Sequence, residues 1–172
     1  MTNTLEIKLL SNNATKPKRA DDESAGYDIY AAETVILEPQ QKALIATDLA
    51  VNIPKGYVGL LTSRSGVSSK THLVVETGKV DAGYQGHMKI NIKNDFQFAG
   101  SNYIQDFILD INNNENATHR HDIQLGTYKI QKGDRLAQLV IVPIWTPELE
   151  PVEEFESESE RGEKGFGSSG TR

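Results

Sequence analysis

The chain has 172 residues, 37% of them hydrophobic, no cysteine and a formal net charge of −6 at pH 7, which fits one compact domain whose modest core would gain from subunit contacts. This composition excludes disulfides and cysteine-ligated zinc and argues against nonspecific binding to nucleic acid, although a few arginines, backbone amides and a cation can still hold a small anion. No apolar run approaches the ~20 residues of a membrane helix, and the opening MTNTLEIKLL lacks the basic-then-apolar order of a signal peptide, so neither membrane nor nucleic acid is expected as a partner and a cytoplasmic location is.

The dominant period is two. Leu5, Ile7 and Leu9 alternate with Glu6 and Lys8 and predict a half-buried first strand. Apolar, β-rich stretches follow at 34–37, 43–47, 49–53, 57–62 and 73–76, with Gly or Pro in most of the gaps. Residues 64–70 predict one short helix. Met88, Ile90 and Ile92 alternate with Lys89, Asn91 and Lys93 and predict another half-buried strand. Residues 136–144 are nearly continuous apolar, the pattern of a strand buried on both faces. Many short strands with little helix point to an all-β antiparallel sandwich or jelly roll.

Two segments break the pattern. Residues 96–125 are polar, with an apolar island at 103–111 followed by NNNEN and HRHD runs, and predict an insertion that protrudes from the barrel. His119 and His121 could share a metal on a strand, but only Asp122 offers a third ligand, which favours a solvated loop. The chain from Glu148 is acidic and then rich in Gly and Ser, too polar to fold alone. The organisation expected is a β domain over 1–147, insert included, and a mobile C-terminal arm over 148–172.

Five polar clusters sit among the strands. The first, AGYDIYA from Ala25, reads as a turn entering a strand. The second, SRSG from Ser63, is either a helix start capped by Ser63 or Ser65 or a phosphate site, and the two are compatible. In the third, GKVDAGYQG from Gly78, the pattern is a hairpin with Asp81 and Tyr84 near its tip. In the fourth, GDRLAQL from Gly133, Asp134 would brace Arg135, and Gln138 is an amide inside an apolar run that needs a dedicated partner. The fifth, RGEKGFGSSG from Arg161, is either a disordered tail or an arm that orders on phosphate; no strand or helix frames it as a Walker loop.

In this order the five clusters resemble the motifs of the trimeric dUTPases, over nearly the whole chain from Ala25 to Gly170. The resemblance implies a jelly-roll-like β-clip fold and a homotrimer with shared active sites that hydrolyses dUTP to dUMP and pyrophosphate, limiting uracil incorporation into DNA and supplying dUMP for dTMP synthesis. Asp81 would be the general base. Asp28 would hold Mg2+ through coordinated water. Arg64, Ser65, Gly66 and Gln138 would contact phosphates, and Arg161, Ser168 and Ser169 would close on the γ-phosphate. Tyr84 would pack on the deoxyribose, the backbone around Val80 and Ile90 would read the uracil edge, and Phe166 would stack on the base. Ser63 and His87 depart from the family pattern, which commonly has Pro and an acidic residue there. The insert looks like that of some bacteriophage members, which implies action in a host cytoplasm and suggests a regulatory protein as a second partner. The alternatives are a nucleotide-sensing regulatory protein on the same scaffold and a dCTP deaminase of the same fold.

Overall fold

In the computed structural model, which describes residues 4–97, 104–157, 159 and 162, the period-two stretches form strands and the only helix among the described residues is a single turn. The strands are β1 (Glu6–Leu9), β2 (Tyr27–Tyr30), β3 (Val35–Leu37), β4 (Lys42–Asn52), β5 (Tyr57–Ser63), β6 (Leu73–Val75), β7 (Gly78–Val80), β8 (Met88–Asn94), β9 (Ile104–Gln105), β10 (Phe107–Leu109), β11 (Glu115–Ala117), β12 (Ile123–Gln124), β13 (Tyr128–Ile130) and β14 (Arg135–Pro143); α1 (Ser65–Ser68) follows β5. They pair in the orders β1-β4-β8-β6, β2-β14-β5-β7, β11-β10-β13-β3 and β12-β9. This is the all-β, jelly-roll-like architecture that the sequence pattern implies.

Alternation builds the core. In β8, Met88, Ile90, Ile92 and Asn94 are buried while the intervening residues face outward, and Ile90 lies opposite Ile45 on β4. Ile29, Leu37, Ile45, Leu49, Ile53, Leu73, Tyr128, Ile130, Leu136 and Leu139 complete the interior. Burial of each such side chain stabilises the fold by ~1.5–3 kcal/mol before the entropy of ordering is counted. Asn94 is fully buried yet satisfied: its Nδ2 donates to the carbonyls of Leu37 and Gly126, and its Oδ1 accepts the Phe96 N–H.

Three expectations need correction. The stretches at 43–47 and 49–53 are one strand: Asp48 takes a left-handed φ of 52° and the register with β8 shifts between Ala46 and Leu49, so β4 bulges instead of ending. Leu9 is 52% exposed, because β1 is an edge strand and Leu9 its last residue; Leu5 and Ile7 do pack on the core. The 136–144 strand is buried only in its first half. β2 covers β14 as far as Leu139 and β5 alone continues beside it, so residues 140–142 are half-buried and Ile144 is exposed.

The insert is less of a protrusion than its polarity suggests. Hairpin β10–β11 joins the barrel, since Leu109 of β10 pairs in parallel with Tyr128 of β13. Ile108 and Ile123 are buried, and Leu109 and Ile111 pack against the main core. Ile104 remains exposed, and Tyr103, the island's first residue, lies outside the described residues. The hydroxyl of buried Tyr128 donates to Asn113 Oδ1 and accepts the His72 N–H, tying insert to barrel.

Candidate active site

Strand register sets the first half of the site. Gln138 on β14 lies directly opposite Asp28 on β2 and Thr62 on β5, so their side chains share one face. Asp28 is only 2% exposed, and a buried carboxylate needs compensation. It receives Arg64 Nε on Oδ1 at 2.7 Å, Gln138 Nε2 on Oδ1 at 3.4 Å and Arg135 Nη1 on Oδ2 at 3.3 Å. The amide in the apolar run thus has its partner. Each guanidinium keeps further N–H donors, since arginine carries five.

Arg64 itself occupies the N-cap position of α1 in extended conformation, with no side-chain cap. The expected serine cap is therefore absent; Ser68 instead donates back to the carbonyls of Arg64 and Ser65. Ser65 is exposed, and a Cβ on half-buried Gly66 would meet nothing within 4 Å. No packing in the chain demands glycine there.

Asp134 does not brace Arg135. It closes its own turn, accepting the Gln131 N–H at 2.7 Å, and burial pushes its carboxyl above the ordinary value. Arg135 turns instead to Asp28, a role the sequence reading missed; the Gly-Asp-Arg turn ahead of a strand that carries Gln138 was the available signal.

The second half of the site is the segment 81–87. It is not a hairpin tip. β7 pairs with β5, whereas β8 pairs with β4 and β6. Val80 packs into the core from one sheet and Met88 from the other, so the chain between them crosses sheets. Asp81 is exposed at the start of a turn in which the Tyr84 N–H donates to the Asp81 carbonyl and Gly83 has φ +86°. Tyr84 is 48% exposed and its hydroxyl donates to the His87 carbonyl at 3.1 Å. Its ring lies so close to Gly86 that a Cβ there would stand 2.6 Å from Oη. Val80 and Ile90 have buried side chains, which leaves only their backbone to face a base.

These halves do not meet within one chain. β2, which carries Asp28, and β7, which precedes Asp81, are the outer strands of one sheet, three strand spacings or roughly 14 Å apart. Arg161, Phe166, Ser168 and Ser169 lie outside the described residues.

The chemistry of the Asp28 cluster fits a cation held through water. Arg64 and Arg135 already engage both carboxylate oxygens, so a directly bound metal would compete with two guanidiniums, while with Gln138 also on Oδ1 a single lone pair, on Oδ2, is left to accept from metal-bound water. Among the described residues no group of three or more His, Cys, Asp or Glu could hold a metal. Mg2+ commonly binds one or two carboxylates and substrate phosphates while keeping several waters. His119 and His121 are exposed, and Asp122 beside them is paired with both Nε and Nη2 of Arg120.

A family-wide sequence profile described as dUTPase matches residues 12–99 and 124–170, leaving 100–123 unmatched. The chain is 35% identical to a deoxyuridine 5'-triphosphate nucleotidohydrolase of Mycolicibacterium vanbaalenii, over 99% of this chain and 97% of that one. Among solved structures, the dUTPase of Staphylococcus bacteriophage 80alpha in complex with dUpNHpp is 65% identical with a TM-score of 0.93, covering 98% of this chain and 99% of that one; it is described as controlling transfer of virulence genes by a G protein-like mechanism. A mutant dUTPase from phage phi11 of S. aureus, described with a structural Mg(II) ion, is 62% identical with a TM-score of 0.86 over 90% of this chain and all of that one. With most of its length matched by the profile and its fold shared with these phage enzymes, the chain belongs to the dUTPase family.

Proposed function

We propose that three copies of this chain form shared active sites that hydrolyse dUTP to dUMP and pyrophosphate, with Asp81 as general base for a water attacking the α-phosphorus in line. The observation that carries this reading is the separation of an exposed carboxylate turn, Asp81–Gly86, from the Asp28, Arg64 and Gln138 cluster: Asp28 is on the opposite outer strand of the sheet, and Val80 pairs with Gly59 while Arg64 follows the other end of β5. Each half is incomplete alone, and a second copy can bring its turn to the first copy's cluster.

In this arrangement Tyr84 lies along the deoxyribose and leaves no room for a 2'-hydroxyl. The backbone near Val80 and Ile90 pairs with the uracil edge. Arg64, Ser65, Gly66 and Gln138 bind phosphate oxygens, while Arg161, Ser168 and Ser169 close on the γ-phosphate and Phe166 covers the base. Asp28 would hold Mg2+ through coordinated water, and the metal would supply charge neutralisation to the triphosphate. General-base assistance is worth only ~10²–10⁴-fold, so positioning and charge stabilisation carry most of the rate.

Pyrophosphate release should be measured from dUTP, dTTP, dCTP and UTP, with and without Mg2+. Turnover of dUTP alone, dependent on Mg2+, is expected. Intact dUTP contradicts the proposal, and ammonia from dCTP would instead mark a deaminase of the same fold.

A second role rests on the insert. The 80alpha relative is described as controlling gene transfer, and Ile104 leaves an apolar side chain 63% exposed on the insert of this chain. We infer that the insert contributes to binding a regulatory protein in the cytoplasm of a host. Equal recovery of a partner by the full chain and by an active variant with 100–123 replaced by a short turn would remove the insert from that role.

A further inference from the structure

The segment 81–87 has no ladder of its own, so its shape depends on side contacts. Within it, the Tyr84 hydroxyl is tied to the His87 carbonyl at 3.1 Å. Gln85 Nε2 donates to Asn52 Oδ1 at 3.1 Å, an exposed contact that water can replace. One contact is different in kind: His87 Nε2 accepts the backbone N–H of Asp48 at 3.0 Å.

Asp48 is the left-handed residue of the β4 bulge. A bulge leaves ladder groups unpaired, and a backbone N–H that is partly buried needs an acceptor. The bulge is itself fixed. Thr47 Oγ1 donates to the Met88 carbonyl and accepts the Leu49 N–H, and the Asp48 carboxylate accepts the Ser11 hydroxyl. His87 and Asp48 side chains are 33% and 19% exposed, so water only partly substitutes for the imidazole. Asp48 Oδ1 also lies 3.3 Å from the same Nε2. That nitrogen cannot accept from the amide and donate to the carboxylate at once; the shorter, directional amide bond identifies Nε2 as an acceptor here.

We propose that His87 is a positioning residue for sugar selection. Its imidazole pins the crossing segment to the β4 bulge, which holds the His87 carbonyl that anchors Tyr84, and so sets how closely Tyr84 approaches the sugar. The proposal rests on the dUTPase reading of Tyr84 given above. It predicts that the requirement is for an acceptor at the reach of Nε2, and not for bulk or charge.

The test compares His87→Gln, whose Oε1 has the reach of Nε2, with His87→Lys, which offers only donors, and His87→Met, which is apolar. Two quantities are read: hydrogen exchange of the Asp48 and Tyr84 amides in the free protein, and the ratio of kcat/KM for dUTP to that for UTP. Gln should retain both. Lys and Met should speed exchange at Asp48 and Tyr84 and lower the dUTP preference about three- to tenfold, the loss of one partly buried hydrogen bond. A simple loss of stability would lower the melting temperature without changing that ratio in the folded enzyme. Unchanged exchange in Lys and Met overturns the staple, and faster exchange with an unchanged ratio overturns its link to the sugar. A wild-type chain that treats UTP like dUTP would instead refute the assignment of Tyr84, with the exchange result still judging the staple.

Discussion

Asp28 is the residue on which the cluster of Arg64, Arg135 and Gln138 turns. Its carboxylate is buried against β14 and holds two guanidiniums and an amide in place. Replacing it with Asn leaves two cations facing a neutral side chain. Because Arg64 and Arg135 side chains are 23% and 51% exposed, the stability lost in Asp28→Asn should be about 1–3 kcal/mol, below that of a fully buried pair. Denaturant unfolding checks this, and a variant as stable as wild type would contradict the stabilising role of the Asp28 carboxylate. Asp81 is the opposite case, exposed and without structural duty. Asp81→Asn should therefore lower kcat by ~10²–10⁴-fold while dUpNHpp binding by calorimetry stays within about threefold. Loss of both together would contradict the role of base.

At the scale of elements, the insert is held by the Asp110 turn. Its carboxylate accepts the N–H groups of Asn112 and Asn114 and the Asn114 side-chain amide. Burial alone would raise its pKa, but these bonds outweigh it and hold the carboxyl below the ordinary value. A depressed folded pKa means stability that is present above the unfolded value of ~3.9 and lost as pH falls through the folded one. The Asn112 and Asn114 amide resonances should thus titrate with a midpoint below ~3.9, and a midpoint at or above that value would contradict the assignment. The arm makes a separate prediction. Removing the chain after Glu160 should lower kcat by at least about tenfold, as expected for loss of a closing segment, while leaving thermal unfolding unchanged. Full activity in the truncated chain would refute the closing role.

Elements also show what was legible in the sequence. The alternation in β8 could be read directly, because period two fixes which side chains share a face, and so could the need of Gln138 for a partner, because it is an amide inside an apolar run; Asp28 and Arg64 stood out only through the resemblance of their clusters to a family pattern. The β4 bulge could not, because a left-handed Asp48 interrupts the pattern as a turn would. Nor could the sheet crossing at 81–87, since strand partners are chosen by distant residues. Arg135 escaped for the same reason: its partner is 107 positions away.

On the scale of the whole molecule, large apolar side chains stand exposed. Trp145, Leu149 and Phe155 are 88%, 92% and 88% exposed along the segment that leaves β14. Burying such side chains is favourable by ~1.5–3 kcal/mol each, which fits a chain that completes its surface by association. Native mass spectrometry should find a trimer, and a monomer as the main species at micromolar concentration would contradict this. The most direct test of the shared site mixes two inactive proteins, Asp81→Asn and Arg64→Ala, under conditions that exchange subunits, and follows pyrophosphate release from dUTP. If the base and the phosphate cluster come from different copies, random mixing rebuilds intact sites and restores about a quarter of wild-type activity; a mixture as inactive as its components, despite mixed trimers, would contradict the account.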